Sequence, residues 1–146
     1  MLKLTKKADY GLIAMRHLAM ARPTRSASAK EISERYGIPL PLLAKVLQRL
    51  AREGLLTAVH GTNGGYKLAR DPREISALEV IRSIDGPVIL TSCFEHDGCD
   101  HTGTCSVREP LRKIHGGILQ LLAGITISEM GEEAGETVAI SVRGNA

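Results

Sequence analysis

Tryptophan is absent from this chain, and a single Phe and three Tyr are its only other large aromatic residues. Surfaces that bind unpaired bases need aromatic platforms to stack them on, so single-stranded nucleic acid is disfavoured as a ligand. The hydrophobic content of 43% then describes an aliphatic core, which suits helix packing by Leu, Ile, Val and Ala. Cysteine is scarce as well: three residues form no even-numbered disulfide framework, and reduced thiols point to the cytoplasm. Long apolar runs are missing. Lys3, Lys6 and Lys7 ahead of an apolar stretch loosely resemble a signal peptide, but Arg16 and His17 interrupt it. Nowhere are there the roughly 18 consecutive apolar residues of a membrane span, so no membrane partner is expected. There is also no Cys-x-x-Cys pair, phosphate-binding glycine loop or nucleophile with base and orienter, and the chain is not expected to be an enzyme.

Charge is present but unevenly divided. Residues 1–70 hold 13 Lys and Arg against 4 Asp and Glu, a net of +9, whereas residues 71–146 hold 6 against 12, a net of −6. A basic module that meets a polyanion followed by an acidic module with another task is the organisation this split predicts. The expected divisions are a DNA-binding domain over 1–70, a ligand and pairing segment over 71–130, and a flexible tail over 131–146.

The basic half reads as mostly helical. Leu4, Ala8, Leu12, Met15, Leu18 and Ala19 recur at steps that place them on one side of a helix from Leu4 to Ala21, with Thr5 as its N-cap. Ser28-Ala29-Lys30-Glu31 has the form of a capping box opening a short helix that Gly37 ends. A third helix runs from about Pro41 to Glu53, with Leu43, Val46, Leu47 and Leu50 inward and Lys45, Gln48, Arg49 and Arg52 outward. Two short helices joined by a glycine-bearing turn make a helix-turn-helix. Two apolar stretches, 55–60 and 66–69, then flank Gly61-Thr62-Asn63-Gly64-Gly65, a loop composition that allows positive φ and a hairpin wing. The predicted fold is mainly α, a winged helix-turn-helix for double-stranded DNA followed by a ligand loop and a dimerisation helix.

In the acidic half, Ser76-Ala77-Leu78-Glu79 is a second capping box, with Ile75 and Val80 placed as a hydrophobic staple. Leu111, Ile114, Ile118, Leu121 and Ile125 then alternate steps of three and four, a coiled-coil-like seam that a second copy could cover to form a homodimer. Between these helices lie Cys93, Cys99 and Cys105, which recur at every sixth position. The residues around them include Glu95, His96, Asp97, Gly98, Asp100, His101 and Gly103, which can wrap an inorganic centre but not fill a core. An iron-sulfur cluster, of two or four irons, or a zinc ion completed by His96 or His101 would suit such donors. Zinc loops normally carry close cysteine pairs, which are lacking here.

Taken from Leu4-Thr5-Lys6 through the wing Gly61-Thr62-Asn63-Gly64-Gly65-Tyr66-Lys67-Leu68 and the three cysteines to Met130, the chain resembles the Rrf2 family. These are iron-sulfur-dependent winged-helix regulators that include the Isc-system and nitric-oxide-responsive repressors. Ile89-Leu90-Thr91-Ser92-Cys93, Cys105-Ser106-Val107-Arg108 and Gly124-Ile125-Thr126-Ile127 look most like the branch regulating SUF cluster-assembly genes. The resemblance implies a homodimeric repressor on palindromic DNA whose affinity follows cluster occupancy. Its Isc-type branch takes a His three residues after the last cysteine as fourth ligand, where this chain has Arg108. The nitric-oxide-responsive branch takes a carboxylate from the first helix of the other subunit, and Asp9 stands at that place. The implied metal set is Cys93, Cys99, Cys105 and Asp9, with His96 and His101 as competitors for the fourth position. The implied DNA-facing set is Lys6, Pro39, Pro41, Lys45, Arg49, His60, Thr62, Asn63 and Lys67. Pro39, Pro41 and Lys45 replace the polar reading residues of Isc-type relatives and His60 replaces an arginine, so a different operator is expected.

Overall fold

The computed structural model describes residues 4–21, 25–61, 64–88 and 108–131. Cys93, Cys99, Cys105, His96, His101, Thr62, Asn63 and the tail expected to be flexible from residue 132 onward lie outside those residues. The described elements are α1 (Lys6–Met20), α2 (Ala29–Tyr36), α3 (Leu40–Arg52), β1 (Leu56–Val59), β2 (Gly65–Leu68), a 3₁₀ turn (Pro72–Glu74), α4 (Ala77–Asp85), α5 (Arg108–Gly124) and α6 (Ile127–Gly131).

Thr5 caps α1, its hydroxyl accepting a hydrogen bond from the Ala8 N–H at 3.1 Å and so satisfying one of the donors a helix start leaves open. The buried stripe of α1 is Ala8, Gly11, Ala14, Met15 and Leu18. Leu4, expected on that side, is exposed, and Leu12 is half-buried. Small residues hold the middle of the stripe because two helices close on it: a Cβ at Gly11 would run into the Ile84 side chain and touch Val46 and Val80.

The helix-turn-helix follows its local signals. The Ser28 hydroxyl accepts from the Glu31 N–H at 3.1 Å, and Gly37 ends α2 in the left-handed region at φ 66°, which a side chain would strain. Pro39 then opens α3, whose inner face is Leu43, Val46, Leu47 and Leu50. His17 on α1 pairs with the Tyr36 hydroxyl through Nδ1 at 2.8 Å. Burial, with the nearby Arg35 charge, pushes the imidazole below its usual range, so the neutral ring is favoured at this α1–α2 contact.

In the wing, β1 and β2 are antiparallel with Leu56 opposite Leu68 and Val59 opposite Gly65. A short bridge adds a third layer: the Ala27 N–H donates to the Tyr66 carbonyl at 3.0 Å, and the Tyr66 N–H to the Ala27 carbonyl at 2.8 Å. A Cβ at Gly65 would collide with the Ala27 carbonyl, so this glycine lets the wing dock on the segment before α2.

α4 begins with the complete capping box foreseen at Ser76 and Glu79. After α5 the chain returns to the first helix. Thr126 and Glu129 form the same reciprocal cap for α6, at 3.2 and 3.0 Å, an element that the sequence reading passed over. Ile127 is fully buried, its N–H donating to the Ile75 carbonyl at 2.8 Å, and Arg16 donates to the Met130 carbonyl at 2.7 Å. One hydrophobic core therefore joins Met15, Ile32, Leu43 and Leu50 of the basic half to Ile75, Val80 and Ile127 beyond residue 70.

Candidate functional site

α3 is the second helix of the helix-turn-helix, the element whose outer face is expected to meet a duplex. Pro39, Leu40, Pro41, Lys45 and Gln48 are all exposed there, and no side chain caps the helix start. Arg49, also exposed, is tied to α4: its Nε donates to the Ser83 carbonyl at 2.9 Å and lies 3.9 Å from the Glu53 carboxylate. It joins the reading helix to α4. In the wing, His60 is exposed and Lys67 is half-buried on β2, while Lys6 is exposed on the first turn of α1. Lys6, Lys45, Arg49 and Lys67 stand on elements that carry most of the +9 charge of residues 1–70.

The last turn of α4 is a junction. Ser83 accepts from Arg49 of α3, Ile84 fills the space over Gly11 of α1, and the Asp85 carboxylate accepts from the Thr5 hydroxyl at 2.7 Å. Three consecutive residues thus hold both the reading helix and the capped start of the helix that bears Asp9. Cys93 follows Asp85 by eight residues in the chain.

Asp9 is exposed and lines a recess with Leu4, Thr5 and Lys6. Among the described residues no hydrogen bond or ion pair holds its carboxylate. The donor set suits an iron-sulfur centre on chemical grounds: three thiols of the type such clusters take, and one unengaged carboxylate to complete four. On α5, Ile114 and Leu121 are 52% and 44% exposed, while Leu111, Ile118 and Ile125 of the predicted seam are half-buried.

The Rrf2 family, described as iron-dependent transcriptional regulators, matches residues 4–133. The chain belongs to this family. It is 33% identical over 129 residues to the HTH-type transcriptional regulator IscR of Photorhabdus laumondii, covering 88% of this chain and 79% of that one. The IscR of Aliivibrio salmonicida is equally similar, at 33% over 129 residues, covering 88% and 77%. Among solved structures, T. potens IscR superposes with a TM-score of 0.71 at 32% identity, covering 93% of each chain. CymR, the global cysteine regulator of B. subtilis, superposes at 0.77 with 27% identity, covering 90% of this chain and 97% of that one. The Rrf2 chain described here is accordingly a DNA-binding transcriptional regulator with a winged-helix fold, not an enzyme. Among the described residues no helix is long and apolar enough to cross a membrane.

The sequence marked the elements of the reading face but missed the junction. Gly11 and Arg49 carry no motif that announces a contact with α4. The α6 cap was readable, since Thr126-Ile127-Ser128-Glu129 has the same form as the two boxes that were recognised.

Proposed function

We propose that this regulator is a cytoplasmic homodimer that represses SUF iron-sulfur assembly genes according to cluster supply. In this reading Cys93, Cys99 and Cys105, with Asp9 of the partner subunit, hold an iron-sulfur cluster, residues 1–70 supply most DNA contacts, and residues 71–130 supply sensing and pairing. The observation that carries it is the junction at Ser83, Ile84 and Asp85, where the chain leaving for the cysteines is fastened to α3 and α1 together.

When bound, the cluster would supply a redox- and iron-sensitive tie among the three thiolates and the carboxylate. The protein does the rest by geometry. A pull on the chain beyond Asp85, toward Asp9 of the partner subunit, would load the end of α4; Asp85 would pass that load to Thr5 and the cap of α1, and Ser83 to Arg49 and α3. A ligand-dependent shift of this turn changes the spacing or tilt of two reading helices in a dimer, which alters affinity for a paired half-site. The carboxylate is the natural release point, because a hard oxygen donor holds iron more loosely than a thiolate does.

Asp9→Ala is expected to leave the affinity of the metal-free protein for DNA unchanged while shortening the lifetime of the reconstituted centre in air and shifting its visible spectrum. An unaltered lifetime and spectrum would remove Asp9 from the ligand set.

A dimer that neutralises about 6–10 phosphates should lose about 10³–10⁵ in affinity between 50 and 200 mM salt. Fluorescence anisotropy with a labelled duplex measures the slope of log affinity against log salt. A flat line would show that the basic half does not track the phosphate backbone.

A further inference from the structure

The reading end of α3 is unusual in what it offers to a base. Its first four positions from the cap, Pro39, Leu40, Pro41 and Leu42, contain no side-chain hydrogen-bond donor or acceptor, and the two prolines also lack the backbone N–H. Leu40 is nevertheless 41% exposed, and Pro39 and Pro41 are exposed beside it. The buried face of the helix is fixed by Leu43, Val46, Leu47 and Leu50. At 100° per residue, Pro41, Lys45, Gln48 and Arg52 then form the opposite stripe, whereas Leu40 stands beside Leu47 at the margin of the buried face and is exposed because it opens the helix. The N-terminal part of the second helix of a helix-turn-helix is the part that reaches base edges. An apolar side chain can gain there only by covering the C5-methyl group of thymine, the one apolar feature of the major groove.

We propose that Leu40, with Pro41 beside it, determines operator specificity by packing on thymine methyl groups in each half-site. Pro41 shares its stripe with Lys45 and Arg52, one and three turns deeper in the helix, cations that match a DNA occupant, and Leu40 adjoins it at the helix start. This rests on α3 being the helix that enters the major groove. It does not depend on the cysteines. Lys45 and Gln48 remain as the polar readers of the same face, suited to guanine and adenine edges respectively.

The test uses the full chain and a duplex enriched by the wild-type protein from a random pool. Each thymine of the enriched site is replaced in turn by deoxyuridine, which removes the methyl group and leaves every hydrogen-bonding group in place. The expected result is a thymine at one or two fixed positions per half-site, where uridine weakens binding about 3- to 5-fold, the scale of one buried methyl. Leu40→Ala and Leu40→Ala/Pro41→Ala should bind the thymine duplex more weakly and show a uridine-to-thymine ratio near one at those positions. Both side chains are solvent-facing, so circular dichroism and the salt slope should match wild type. Indifference of the wild-type protein to uridine at every position, or an unchanged ratio in both variants, overturns the proposal. If Lys45→Ala and Gln48→Ala also leave the enriched sequence unaltered, the error lies in the choice of α3 as reading helix, and the proposal falls with it.

Discussion

Ending the chain at Gly124 should leave the basic half unable to fold stably, although every element of the winged helix-turn-helix would still be encoded. The deletion removes Ile127, which is fully buried in the same core as Met15, Ile75 and Val80. It also removes the bond from the Ile127 N–H to the Ile75 carbonyl, the Ile125 carbonyl that accepts from Ala77 at 2.8 Å, and the Met130 carbonyl that accepts from Arg16. Cutting back one buried Ile to Ala costs about 2–5 kcal/mol. Loss of the whole residue, with the partners it leaves unsatisfied, adds about 1–3 kcal/mol for each buried polar group exposed to no new donor or acceptor. Against a total stability of about 5–15 kcal/mol, that is enough to unfold much of the population. Urea titration followed by circular dichroism should show Ile127→Ala displaced to lower midpoint by about 2–5 kcal/mol, and the truncated chain without a cooperative transition. A truncated chain that melts like the full one would show α6 to be an accessory.

The second large effect is expected on α5. Ile114→Glu with Leu121→Glu should convert the proposed dimer to monomer, because charges at the centre of an apolar seam cannot be desolvated without partners. Both side chains face solvent in a single chain, at 52% and 44% exposure, so the fold of the monomer has little to lose. Reading two half-sites at once multiplies the effect of each module, and avidity of this kind is worth about 10²–10⁴ in affinity. The variant should therefore have half the wild-type mass in sedimentation, an unchanged far-ultraviolet spectrum and operator affinity lower by about 10²–10⁴. Wild-type and variant chains of equal mass would remove α5 as the pairing helix.

How far the molecule could be read in advance follows the range of the forces involved. Caps and periodic faces are local, and they were legible: Thr5, Ser28 and Ser76 each accept from the expected backbone donor, and Leu43, Val46, Leu47 and Leu50 are buried as their spacing requires. The winged-helix order and the family followed from those elements and from the motifs at the wing and cysteines. Contacts between elements distant in sequence were not legible. No local pattern places Ile84 above Gly11, and none announces that Arg49, expected to face DNA, donates its Nε to the Ser83 carbonyl. The change of charge near residue 70 likewise follows the surface and not the core, which runs through Ile75, Val80 and Ile127. Of the proposed ligand set, Asp9 is in view as an exposed carboxylate on α1, and the cysteines rest on their spacing and on the family.

Three thiols in the segment joining α4 to α5 are proposed to hold an iron-sulfur centre mechanically tied to α3. Anaerobic purification followed by an absorption spectrum with iron and sulfide analysis tests it most directly. Broad visible charge-transfer bands are expected, with iron and acid-labile sulfide in matching amounts, all lost when any one of Cys93, Cys99 and Cys105 is changed to Ser. A colourless protein that contains zinc, or one that takes up no iron and sulfide on reconstitution, would contradict it.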